Sequence, residues 1–180
     1  MLVNILKRAK HLAEKGVELP GTNALKHFLH ADYTWNDFEE NPAILDKFLL
    51  LDDFDVMSAI KDWTAHEDAI LGQLSRRITN RNLLKIRIQA EPFPKETVEK
   101  LQQAIRDQYN FTQGEEAYLF IEAKVKNHAY NNQKGHINLL YKDGRISDIS
   151  QAADQMTIKA LSEPVERHFI CFPRELKHLL

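Results

Sequence analysis

The strongest constraint on this chain is a change of hydrophobic period near residue 83. Before it, apolar residues recur at helical spacing: Leu2, Ile5, Leu6, Ala9, Leu12 and Ala13 in one stripe, Val56, Met57, Ile60 and Trp63 in a second, and Ile70, Leu71, Leu74 and Ile78 in a third. Side chains three and four residues apart share one face of a helix. After it, Leu84-Lys85-Ile86-Arg87-Ile88 alternates apolar with basic, a period of two that only a strand satisfies. The chain therefore reads as a helical segment over 1–82 followed by an α+β lobe over 83–180.

Within the helical segment, Gly16 and the Leu19-Pro20-Gly21 turn stop the first helix. Residues 22–50 read as shorter helical pieces, with Asn23 as a cap, a Leu25-Phe28-Leu29 face, and Pro42 opening an Ala43-Ile44-Leu45-Phe48 segment. Tyr33-Thr34-Trp35-Asn36-Asp37-Phe38 is aromatic and polar at once, which suits a loop folded back on the body or a surface facing a partner. Residues 52–79 form a helix pair broken near His66. Asp52 or Asp53 caps the first helix, and Arg76 and Arg77 lie at the carbonyl end of the second, where the helix dipole favours cations.

In the second part, Pro94 opens a helix with the face Val98, Leu101, Ile105 and Tyr109. Strands are expected at 118–125, 136–142 and 165–172, with a hairpin turn at Asp143-Gly144 and a short helix over 150–161. The order strand, helix, strand, strand, helix, strand is that of a split βαβ, ferredoxin-like lobe with a mostly antiparallel sheet.

Composition narrows the function classes. A formal charge of −2 excludes the broad cationic face that general nucleic-acid binding requires. No stretch approaches the roughly 18 apolar residues of a membrane helix. The one cysteine, Cys171, sits between apolar neighbours and reads as a small buried hydrophobe, consistent with a cytoplasmic protein. Against this balanced background, Arg76, Arg77, Arg81, Lys85 and Arg87 fall between Ser75 and Ile88 with no acid among them, a local anion-binding field.

The residues from Leu50 to Lys85, with a D-D-F-D-V-x-x-A-I-K-x-W opening and an N-R-N-L-L-K close, resemble the region that follows the catalytic core in HD-domain phosphohydrolases, a class that includes deoxynucleotide triphosphohydrolases. Residues 1–9 resemble the helix after that core, and Asn138-Leu139-Leu140-Tyr141-Lys142-Asp143-Gly144 a late strand of the C-terminal lobe. The family's metal site uses a His, a His-Asp pair and a later Asp. No His-Asp dipeptide occurs here; the nearest approach is His66-Glu67-Asp68.

The resemblance thus implies a C-terminal region without its HD core. A divalent metal is expected in that absent core and none in this chain, and the expected partners are the core itself and further copies in a homo-oligomer. By the same resemblance Arg81 and Lys85, and more weakly Lys142, contact the phosphates of an effector nucleotide. The sequence departs from the pattern at Leu84, where a Phe is common, which leaves the charges untouched.

Nothing here supports catalysis by the chain alone. There is no G-x-S-x-G elbow, and six scattered glycines form neither a P-loop nor a dinucleotide fingerprint. His27-x-x-His30-x-Asp32 places two imidazoles one helical turn apart with a carboxylate following, a spacing able to ligate a metal but without a fourth ligand. Two functional readings follow: a regulatory and oligomerisation domain of a nucleotide phosphohydrolase, or a standalone module that binds an acidic partner or a nucleotide through the basic 76–87 segment.

Overall fold

The structure is a computed structural model of the 180-residue chain, and it describes residues 1–127, 138–148 and 165–180. Six helices come first: α1 (Leu2–Glu14), α2 (Asn23–His30), α3 (Trp35–Glu40), α4 (Pro42–Leu49), α5 (Asp53–Trp63) and α6 (Ala69–Thr79). Then follow β1 (Lys85–Gln89), α7 (Lys95–Tyr109), β2 (Ile121–Asn127), β3 (Asn138–Leu140), β4 (Ile146–Asp148) and β5 (Val165–Phe172). The fold is α+β, as the change of period requires.

The chain divides into two compact units, one of residues 1–86, 94–121 and 171–180, the other of residues 87–93 and 122–170. In the first, α1 packs on α2 and α6, and α5 packs on α6. The stripes seen in the sequence supply the core: Ile5 and Ala9 from α1, Ile60 and Trp63 from α5, and Ile70, Leu71 and Leu74 from α6 are all essentially inaccessible. Each large apolar side chain so buried contributes about 1.5–3 kcal/mol. Trp63 also satisfies its indole N–H by donating to the Pro20 carbonyl at 2.9 Å.

Helix starts follow local chemistry. The Asp52 carboxylate accepts from the Phe54 and Asp55 amides while Asp55 accepts from the Asp52 amide, a reciprocal capping box at α5. The cap of α2 is Thr22, whose hydroxyl accepts from the Leu25 amide; Asn23, expected there, is instead the first helical residue. The break near His66 is closed by Asp68, which caps α6 through the Leu71 amide at 2.8 Å. The 33–38 stretch, expected as a loop, runs into helix α3 from Trp35, because Thr34 and Asp37 form a capping box there. Phe38 stacks with Phe28 and meets Phe48 edge-on, whereas Trp35 opens α3 with 77 % of its surface exposed.

A three-stranded sheet has the order β1-β5-β2. The two strands that flank α7 are separated by β5, which is what splits the βαβ unit. β3 and β4 form a two-stranded antiparallel sheet of their own, pairing Asn138 with Asp148 and Leu140 with Ile146. Their hairpin turns where expected, with Gly144 at φ +83°, a conformation open to glycine without cost. The strand expected at 118–125 begins only at Ile121, because Glu115–Tyr118 closes as a 3₁₀ turn. Arg106 ties down the buried Glu116 of that turn at 2.8 Å. The alternation in β1 predicts one buried face, but Ile86 and Ile88 are 50 % and 58 % exposed and no residue of the strand is buried. The α7 face of Leu101 and Ile105 is buried instead in the first unit, where α7 contacts the 3₁₀ turns Glu115–Tyr118 and Arg174–Leu179. The helix expected over 150–161, and the start of the strand expected at 136–142, lie outside the described residues.

Candidate anion-binding site at the helix-to-strand junction

α6 delivers the basic segment, and its ending decides what each cation can do. Asn80 is the C-cap and Arg81 follows in the left-handed region at φ +56°. The Asn82 amide donates to the Arg77 carbonyl at 2.8 Å and the Arg81 amide to the Ile78 carbonyl at 3.1 Å, the paired bonds of a Schellman stop. That position favours glycine; a side chain with a Cβ costs about 1–2 kcal/mol there. Arg81 nevertheless holds it, with its side chain exposed.

Arg77, expected to sit at the helix end as a solvated partner of the dipole, is buried, at 2 % exposure. Its Nη2 donates to the Tyr109 hydroxyl at 2.7 Å and to both Glu175 carboxylate oxygens at 3.1 Å, and Nη1 donates to the Asn82 carbonyl. Burial opposes ionisation of Glu175, but its backbone hydrogen bond and the Arg77 guanidinium outweigh that and hold the carboxyl below its ordinary range. Arg76 donates to the Thr64 carbonyl at 2.6 Å. Arg77 is therefore withdrawn into the fold, while Arg76 stays exposed with its Nη1 tethered to the end of α5.

Arg81 and Lys85 differ: among the described residues neither side chain makes a hydrogen bond or ion pair. Lys85, half-buried at the start of β1, lines a pocket of about 430 Å³ with Leu84, Ile86, Arg174 and Lys177. The last two were not singled out in the sequence. A 3₁₀ turn has three residues per repeat, so Arg174 and Lys177 stack on one face while Leu176 turns inward and is buried. The signal was present as the spacing of Arg174 and Lys177 after Pro173, but only the 3₁₀ geometry makes it a pair.

The remaining candidates separate from this group. Lys142 lies in the β3–β4 turn, which belongs to the other unit, exposed beside Asp143 and Arg145. Arg145 there donates to Asp143 at 2.8 Å and covers the Tyr141 ring at 5.0 Å. Arg87 is likewise part of the second unit.

His27, His30 and Asp32 do not converge as ligands. His27 Nε2 meets the Tyr33 hydroxyl at 2.7 Å and Nδ1 meets Lys47 Nζ at 3.3 Å, while Asp32 is 2.7 Å from Lys10 Nζ. Burial and the Lys47 charge lower the His27 pKa. Among the described residues no helix is long and apolar enough to cross a membrane. Cys171 is free and half-buried, and burial pushes its thiol up, as its apolar flanks imply.

No family model matches the sequence, and no curated protein does. Among solved structures, the chain is similar to a phosphohydrolase from Bacteroides thetaiotaomicron, with 36 % identity, a TM-score of 0.87 and 96 % of this chain covered. The chain spans 43 % of the length of that protein.

Proposed function

We propose that this chain is the regulatory and oligomer-forming part of an HD-superfamily nucleotide phosphohydrolase, with the divalent metal and the hydrolytic chemistry carried by another part of the protein. The observation that carries this reading is the similarity to a phosphohydrolase along 96 % of the chain, combined with a span of 43 % of that neighbour. The local geometry supports it. Two cations of the basic segment are bound into the fold, and Arg81 and Lys85 are left unpaired at its end. A guanidinium offers a planar fork of donors and an ammonium a compact charge, a combination suited to the phosphates of an effector nucleotide.

The test is hydrolysis. Incubated with a deoxynucleoside triphosphate or an aryl phosphate and Mn²⁺, Mg²⁺ or Ni²⁺, the purified chain is expected to give no turnover. Real turnover would refute the assignment of catalysis to another part. In a protein that contains both parts, R81A and K85A are expected to blunt activation by nucleotide without changing basal hydrolysis. An unchanged activation curve would leave the basic segment as an acidic-partner surface.

A further inference from the structure

Lys85 of the basic segment lines a pocket with charges from elsewhere in the chain, and those charges come from the far end of the sequence. Lys85, Arg174 and Lys177 surround the 430 Å³ pocket, with the apolar edges Leu84 and Ile86 and no carboxylate among the lining residues. All five belong to one compact unit. The nearest acid in sequence, Glu175, is already engaged by Arg77 on both oxygens and by Asn82 at 3.2 Å. Glu175 keeps 40 % of its side chain exposed, but its charge is paired with the buried Arg77 guanidinium and it is not among the residues lining the pocket.

None of the three cations has a hydrogen-bond or ion-pair partner among the described residues. Like charges brought to one pocket repel, and the fold holds them there without a counter-charge. A polyvalent anion removes that repulsion and takes up the donors together. The pocket volume exceeds what one phosphate fills and leaves room for a diphosphate or the tail of a nucleotide.

We infer that Lys85, Arg174 and Lys177 form a self-contained binding site for a phosphate chain, inorganic or nucleotide-borne, within this unit. This rests on the proposed phosphate role of Lys85 and extends it to Arg174 and Lys177, two residues outside the resembling motifs. It also predicts binding by this chain alone, which a pocket assembled between subunits does not.

The probe is pyrophosphate, titrated into the purified chain by calorimetry at low salt, with the site located by amide shifts in a ¹⁵N-labelled sample. K85Q, R174Q and K177Q are each expected to weaken binding about tenfold, as the loss of one charge-assisted contact does. K142Q should stay within about twofold of the parent, and raising salt should weaken binding steeply. R174 and K177 are exposed side chains, so retained amide spectra will show that the variants fold.

Three results overturn the inference: no binding at millimolar pyrophosphate, binding indifferent to R174Q and K177Q, or amide shifts confined to residues outside 84–86 and 174–177. If R81Q weakens binding while R174Q and K177Q do not, the phosphate role of the helix end stands and this pocket falls. If the pocket binds pyrophosphate as described and nucleotides do not alter hydrolysis in the two-part protein, the pocket stands and the effector reading falls.

Discussion

Asp68 is the residue whose removal the structure prices most clearly. Its carboxylate performs two tasks: Oδ1 caps α6 through the Leu71 amide at 2.8 Å, and the two oxygens receive the Arg8 guanidinium side-on, at 3.1 Å from Nε and 2.6 Å from Nη2. The second links α1 to the start of α6. Loss of an N-cap costs about 1 kcal/mol. Stranding one partner of a fully buried ion pair costs about 3–5 kcal/mol. Here the side chains keep 12 % and 14 % exposure, and Arg8 retains Glu115 at 3.4 Å and the Tyr118 ring at 5.5 Å. That lowers the second figure to roughly 2–3 kcal/mol. D68N, which keeps a cap acceptor, should therefore cost roughly 2–3 kcal/mol and D68A about 1 kcal/mol more.

Urea unfolding followed by the fluorescence of the buried Trp63 measures this directly. In a cycle with R8M, the coupling to D68N should reach at least about 1 kcal/mol at neutral pH. Acidity supplies an independent check. Burial works against the Asp68 carboxylate, but the hydrogen bonds from Arg8 and Leu71 and the Arg8 charge outweigh it and hold its pKa below the ordinary value. A carboxyl depressed in the folded state stabilises fully above its unfolded pKa, and that stability is lost as pH falls through the folded one. The gap between parent and D68N should thus close in acid. Coupling under about 0.5 kcal/mol, or a gap unchanged between about pH 7 and pH 2, would show that the pair does not join the helices.

G72A should destabilise by roughly 1–2 kcal/mol despite alanine's better helix propensity, because the added Cβ would lie 2.9 Å from the His66 carbonyl oxygen; a melting temperature at or above the parent's contradicts that packing. R81G should raise stability by about 1 kcal/mol by relieving the left-handed backbone at φ +56°, a gain that R81A should not reproduce in thermal melts. Cys171 should alkylate more slowly than a small-molecule thiol in the folded chain at mildly alkaline pH and at an ordinary rate in urea, since burial raises its pKa. Equal rates in both states would place the thiol in solvent.

What the sequence made legible is what depends on neighbours three or four residues away. The stripes of α1, α5 and α6 predicted most of their buried faces, though Leu2 and Met57 at the margins stay exposed, and the Asp52 cap followed from chemistry within one turn. The strand pattern located β1 and β5, but strand alternation says which residues share a face and not whether anything covers it, so Ile86 and Ile88 stayed exposed. Tyr118, Leu119 and Phe120, expected in a strand, precede it for a related reason. Tyr118 closes a 3₁₀ turn, and Leu119 and Phe120 directly after it are buried outside any strand.

The candidate site shows the same limit in its charges. Arg76, Arg77, Arg81 and Lys85 are indistinguishable in a count of cations, yet Arg77 is withdrawn by Tyr109 and Glu175, 32 and 98 residues away. Lys85 gains Arg174 and Lys177 from the same distant segment that supplies Glu175. One short turn therefore sorts the basic segment, pairing the buried Arg77 with the exposed acid Glu175 and offering Lys85 two further cations. Arg81 is the member that local physics argues against, since its backbone conformation favours glycine by about 1–2 kcal/mol. A hydrogen bond to a charged group contributes about 1.5–3 kcal/mol. A single phosphate contact would be enough to offset the strain, so under the proposed function R81G should raise stability while weakening the response to nucleotide.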